Sequence, residues 1–172
     1  MKRYFSPSTR DALANAKEEA LLTGGTKISI AHLVLGLARS VEEQCGQLLA
    51  QKGLDQTFVR EHARIGPSIV TTGPLVLSRE GEELLKDSAF GAFLHSQRVI
   101  QPIHVLLTLL KSPRDPILHE HFLRVGLSYD AALVEFHKMD PTLASSYRGW
   151  LATGFFSEVI RVTQLNKLMA WT

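Results

Sequence analysis

Two stretches of the chain decide its fold: KISIAHLVLGLARS (27–40) and VIQPIHVLLTLLKS (99–112). They stand 72 positions apart and align without a gap. Each carries a histidine near the start of a run that is apolar on nearly every helical face. A helix of that kind must be central and buried. Extending the comparison to residues 5–40 against 77–112 gives nine identities in 36 pairs. They are Ser6/Ser78, Leu13/Leu85, Ala20/Ala92, Leu22/Leu94, Ile28/Ile100, His32/His104, Leu35/Leu107, Leu37/Leu109 and Ser40/Ser112. Unrelated segments would share about two or three. One inserted residue later the offset becomes 73, and Gly53-Leu54 meets Gly126-Leu127. The chain is therefore a tandem repeat.

Each copy reads as four helices. Ser6 followed by Pro7 is an N-cap with proline at the first helical position. Leu13, Ala16 and Ala20 form a core stripe that Gly24-Gly25 ends. Ser29 can cap a second helix, Ile30 to Arg39. A third is expected from about Glu42 to Lys52, with Gly53 at the left-handed C-terminal position. Asp55 can cap a fourth. In copy two, Ser78 caps the first helix, and Glu82 and Glu83 suit its dipole. Pro102 opens the buried helix, Asp115-Pro116 starts the third, Gly126 ends it, Ser128 can cap the fourth, and Pro141 stops the unit. No strand alternation stands out; VIQPI and SIVTT are the only short candidates, and both carry or border breakers.

This places copy one at 4–65, a linker at 66–76 centred on GPSIVTTGP (66–74), and copy two at 77–139. Together they make a unit of residues 1–140, all-α with pseudo-twofold symmetry. Residues 141–172 lie outside it. There Phe155, Phe156, Val159, Ile160, Val162, Leu165 and Met169 recur at helical spacing. An amphipathic helix in this extension can pack back on the repeats, dock a partner, self-associate through 142–172, or lie on a membrane surface. Its polar face is poor in Lys and Arg, which disfavours the last.

The 172 residues are 45% hydrophobic and 21% charged, the balance of a globular protein. Net charge is +2, carried by Arg148, Arg161 and Lys167 against Glu158; residues 1–140 balance 16 against 16. No basic stripe of the kind that binds nucleic acid is present. No signal peptide or membrane span is read, so a cytoplasmic location is expected.

Candidate chemistry is thin. His32 and His104 follow the fold repeat rather than one site, and are read as rings that order their helix starts. His119, Glu120 and His121 cannot chelate together, because rings two residues apart diverge on a helix. A zinc helix uses i and i+4. Cys45 excludes an internal disulfide and reads as a small buried hydrophobe. GGTK (24–27) lacks the spacing and final hydroxyl of a phosphate loop. No catalytic residue, metal or cofactor is expected, and the chain is read as no enzyme. A small helical hydrolase would require His32 or Cys45 to face a polar pocket.

Three segments of copy one, FSPSTRDALANAKEEA, KISIAHLVLGLARS and LLAQKGLD, together resemble the N-terminal domain of Clp-type AAA+ unfoldases. Copy two supplies LSREGEELLKDSA, VIQPIHVLLTLLKS and FLRVGLS. The resemblance covers about residues 4–139. It implies an all-α double repeat that receives substrates and adaptors, here as a free-standing domain. Implied partners are proteins or peptides: a Clp ATPase, a protease core, an adaptor or a client. An accessory subunit docking through the C-terminal helix is the alternative.

In family members that bind phosphorylated arginine, a glutamate precedes the histidine in each copy. The matching positions here are Ala31 and Ile103, which cannot hold a guanidinium. Phosphoarginine recognition is therefore expected to be lost or weak. Ser6 and Ser78 keep the opening hydroxyls; Arg10 matches a basic family position, while its counterpart is Glu82. Phe5 and Leu77 either staple the helix starts or line a peptide groove. The candidate binding set is Phe5, Ser6, Arg10, Ala31, Leu77, Ser78, Glu82 and Ile103.

Overall fold

The two apolar runs become the centre of the molecule. In the computed structural model they are α2 (Ile30–Arg39) and α6 (Pro102–Lys111). Residues 30 to 38 of α2 are all buried, and in α6 only Thr108 and Lys111 are not. The structure describes residues 5–41, 43–64, 75–95 and 97–139. The expected linker core, Pro141 and the C-terminal helix lie outside the described residues.

Around α2 and α6 stand α1 (Pro7–Leu22), α3 (Gln44–Gln51), α4 (Gln56–Ala63), α5 (Arg79–Leu94), α7 (Pro116–Arg124) and α8 (Tyr129–Met139). The architecture is all-α, two four-helix copies in tandem. The third helix starts two residues later and ends one earlier than expected. The expected caps hold. Ser6 Oγ accepts from Thr9 N–H and Ser78 Oγ from Gly81 N–H, both at 3.1 Å. Asp55, Asp115 and Ser128 cap α4, α7 and α8 in the same way. Gly53 and Gly126 adopt φ of 70° and 69°, which a side chain resists. Each lets the following leucine amide reach back into the preceding helix: Leu54 to Leu49 O, Leu127 to Phe122 O.

Short strand pairings add to the sequence reading: of its two candidates, VIQPI contains Ile100, which pairs, and SIVTT lies outside the described residues. β1 (Lys27–Ile28) runs parallel to β2 (Val76–Leu77), and Phe5 forms a parallel bridge with Ile100. Two residues cannot show an alternation, so the pattern was invisible. The two pairings are symmetry mates. Ser6 N–H donates to Ile100 O at 3.0 Å, and Ser78 N–H to Ile28 O at 2.9 Å. Each copy's opening residue thus pairs with the segment before the other copy's buried helix. Copy one adds a third bond, Thr9 Oγ1 to Ile100 O at 2.8 Å. Further contacts join the copies: His62 Nε2 meets Asp115 at 2.8 Å and Phe58 stacks on His121.

One shared core results, with Leu35, Leu48, Leu49, Leu84, Leu85, Leu106, Leu118, Phe122, Leu127 and Phe136 nearly inaccessible. Full burial of such a side chain stabilises by about 1.5–3 kcal/mol.

Candidate functional site at the seam

The eight candidate residues do not form one open surface. Phe5, Ala31, Leu77 and Ile103 are all buried. Phe5 and Leu77 are not staples. The fourth helical positions that a staple would use hold Arg10 and Glu82, and the two apolar side chains are covered by the cross-copy pairing instead. Ala31 and Ile103 sit in the first turns of the central helices and offer no acceptor to a cation. The other four are at the surface. Ser6 and Ser78 are half-buried caps, and Arg10 and Glu82 are exposed. Arg10 Nη1 donates to Phe5 O at 3.3 Å. The buried quartet is therefore a frame and the polar quartet its rim.

A cavity of about 500 Å³ opens at this seam. Its wall comes from Gly24 to Lys27, Ser29 and Ile30 of copy one, and Ser78, Glu80, Arg114 and Asp115 of copy two. Of the eight candidates only Ser78 reaches it. The loop before α2 and the start of α7 escaped the sequence reading because adjacency across copies leaves no mark in a self-alignment. Lys27, Glu80, Arg114 and Asp115 all line it, so the wall is of mixed charge. Arg114 is tied to Glu83 and Asp87.

Both helix-start histidines order the backbone, as expected. Ser29 N–H donates to His32 Nδ1 at 3.0 Å, and Gln101 N–H to His104 Nδ1 at 3.0 Å. An Nδ1 that accepts leaves the proton on Nε2. In copy one that proton goes to Thr23 Oγ1 at 2.8 Å, which in turn donates to Glu19 O at 2.9 Å. In copy two Thr23 is replaced by His95, whose ring stacks on His104 with centroids 5.7 Å apart. His104 Nε2 has no hydrogen-bond partner among the described residues. Burial depresses His32 and pushes His104 down to about 3. Both rings are neutral at physiological pH.

A second difference was legible but missed. Glu19 continues the α1 core stripe Ala12, Ala16, Ala20, where a carboxylate demands a partner. It is buried and receives Arg60 through two bonds of 2.9 and 3.0 Å, with Arg39 at 3.6 Å. The Arg60 hydrogen bonds hold its carboxyl below the usual range.

Chemistry has little to work with here. His32 bonds two hydroxyls, Thr23 at the end of α1 and Ser29 at the start of α2, but the ring is fully buried. Cys45 is buried, which raises its thiol far above the reactive range. Among the described residues no three metal-ligating side chains cluster, and no helix is long and apolar enough to cross a membrane. Of the HEH histidines, His121 stacks on Phe58 with ring centroids 4.4 Å apart.

No protein-family model matches the chain, and no curated protein matches it in sequence. Solved structures do match its fold. One, described as part of preliminary structural investigations of a malarial protein secretion system, has a TM-score of 0.67 at 22% identity, covering 81% of this chain and 97% of that one. The Hsp104 N-terminal domain from Candida albicans gives 0.65 at 16% identity, covering 81% and 93%. The N-terminal domain of the caseinolytic protease associated chaperone ClpD from Arabidopsis thaliana gives 0.58 at 17%, covering 76% and 90%. The fold resembles that of Clp N-terminal domains.

Proposed function

We propose that this chain is a protein-interaction module that receives peptide segments, adaptors or clients for a Clp-type ATP-dependent chaperone or protease, in the cytoplasm and without bond-breaking chemistry. The observation that carries the reading is the fold match to two chaperone N-terminal domains over three-quarters or more of the chain. The proposed contact surface is the seam: Ser6, Arg10, Ser78 and Glu82 at the rim, Phe5, Ala31, Leu77 and Ile103 as the apolar frame beneath, and the 500 Å³ cavity beside Ser78. Residues 1–140 would act as the receptor unit and 141–172 as a separate extension. The rim carries one cation and one anion at symmetry-related positions, which suits a neutral polypeptide more than a charged tag.

Fluorescence anisotropy tests this with a labelled unfolded polypeptide and with a purified Clp ATPase. Saturable binding to either is expected, weakened in Arg10→Glu/Glu82→Lys. Free phosphoarginine is expected not to compete. Absence of binding to both partners, or an unchanged affinity in the double variant, would overturn the proposal.

A further inference from the structure

Copy two holds a cavity of about 350 Å³ that shares no lining residue with the seam cavity. Phe90, His95, His104, Leu107, Lys111 and Tyr129 are among its walls, completed on one side by Gly91 and Thr108. Its volume is at the lower end of the range for small-molecule sites, and apolar side chains stand among polar groups that can orient a ligand. His104 adds a specific demand: its side chain is 1% exposed and its Nε2–H has no acceptor among the described residues.

The pseudo-symmetry says what belongs there. Subtracting 72 turns Gly91 into Glu19, His104 into His32 and Lys111 into Arg39. In copy one this place is filled by the chain's own carboxylate, Glu19, held by Arg60 and Arg39 beside the helix-start histidine. Copy two keeps the histidine and the cation but has no side chain at Gly91. Arg60 is matched, at offset 73, by Leu133. Thr108 replaces Gly36 between the helices, and α5 and α6 pack less extensively than α1 and α2. The space Glu19 takes in copy one is thus vacated in copy two, and apolar Phe90, Leu107 and Tyr129 surround it.

We propose that this cavity binds a carboxylate borne on a small apolar or aromatic body. The carboxylate enters the space that Glu19 takes in copy one, faces Lys111 and accepts from His104 Nε2–H, whose counterpart on His32 is taken by Thr23, while the body packs on Phe90, Leu107 and Tyr129. Asp87 also lines the cavity, but Arg114 engages it. Lys111 Nζ stands 5.7 Å from the Tyr129 ring centre, at the mouth. The ligand comes either as a free aromatic acid or as a peptide C-terminus; both present the same group. The inference is independent of any role beside a Clp machine.

The test is an NMR titration of the full chain with 3-phenylpropanoate and its neutral amide. The acid is expected to shift Gly91, Thr108 and the His104 Nε2–H saturably, and the amide to bind about tenfold more weakly. Gly91→Leu, which refills the space, abolishes the shifts. Lys111→Glu, at an exposed position outside the core, is expected to weaken binding of the acid about tenfold or more, and it stands in should the leucine variant fail to fold. An acetylated dipeptide ending in phenylalanine, with free or amidated terminus, separates the sources. Tighter binding of the free-ended dipeptide than of phenylpropanoate assigns a peptide end, and the reverse a free acid. No saturable shift with any carboxylate, equal binding of the amide, or unchanged binding in Lys111→Glu would overturn the proposal.

Discussion

Copy one and copy two share an outline and differ in what fills it. In copy one the first two helices touch through Gly36, where an added Cβ would lie 2.2 Å from Ala12 O. Beside that contact a buried carboxylate, two arginines, a threonine and a histidine satisfy one another. In copy two the same positions hold Thr108, Gly91, Lys111, Leu133, His95 and His104. The helices pack less extensively, a cavity opens, and one imidazole N–H lacks an acceptor among the described residues. A duplicated unit needs only one tightly locked half to hold the shared core. Copy one carries the polar lock; copy two has the room.

The sharpest way to break this contrast is Gly36→Ala. The new methyl meets backbone on α1, which cannot swing away as a side chain would. A loss of about 3 kcal/mol or more is expected in urea unfolding. Thr108→Gly, the reciprocal change, is expected to cost about 0.5 kcal/mol, the difference in helix preference between threonine and glycine. Equal costs would mean that the two interfaces are equally close.

Next in size is Glu19→Ala. It leaves Arg60 and Arg39 without their carboxylate. Both arginine side chains are about a third or more exposed, so water rescues them in part. A loss of about 2 kcal/mol is expected, below that for a fully buried pair. Its pH signature has a definite sign. The folded Glu19 carboxyl is depressed, so its contribution is complete above the ordinary carboxylate range and drains as pH falls through the depressed value. Glu19→Gln removes that acid limb.

The histidines give the finest test. An unfolded histidine takes its proton near 6.5, whereas folded His104 does so at about 3. Between those values the unfolded state holds more protons, so stability falls with falling pH by about 1.4 kcal/mol per unit for that ring. His32 is depressed too, but the Glu19 carboxylate opposes its burial. His104→Asn is therefore expected to flatten the pH dependence of the unfolding midpoint more than His32→Asn.

Much of the fold was legible because repetition doubles every signal. Ile30–Arg39 was read residue for residue, since an all-apolar run between Ser29 and Ser40 admits one interpretation. The caps at Ser6, Ser78, Asp55 and Asp115 followed from single residues acting on their own neighbours. The candidate site was far less legible. A self-alignment says which residues are equivalent and not which ones touch, so Phe5 and Ile100, or His62 and Asp115, carried no visible link. Apolar residues beside helix starts read equally well as groove or frame; the pairing buried them. The cavity of copy two arises from a missing side chain, Gly91, and a glycine in a helix advertises nothing until its twin is known to be glutamate.

The reciprocal bridges, Phe5 with Ile100 and β1 with β2, carry a further meaning. Two separate identical units could make the same pair of bridges about a true twofold axis, each lending its first residues to its neighbour. Joining them in one polypeptide secures the partnership without enforcing sameness. After fusion, a change at position 91 no longer has to be tolerated at position 19. The join thus frees one half to drift while its twin keeps the assembly intact.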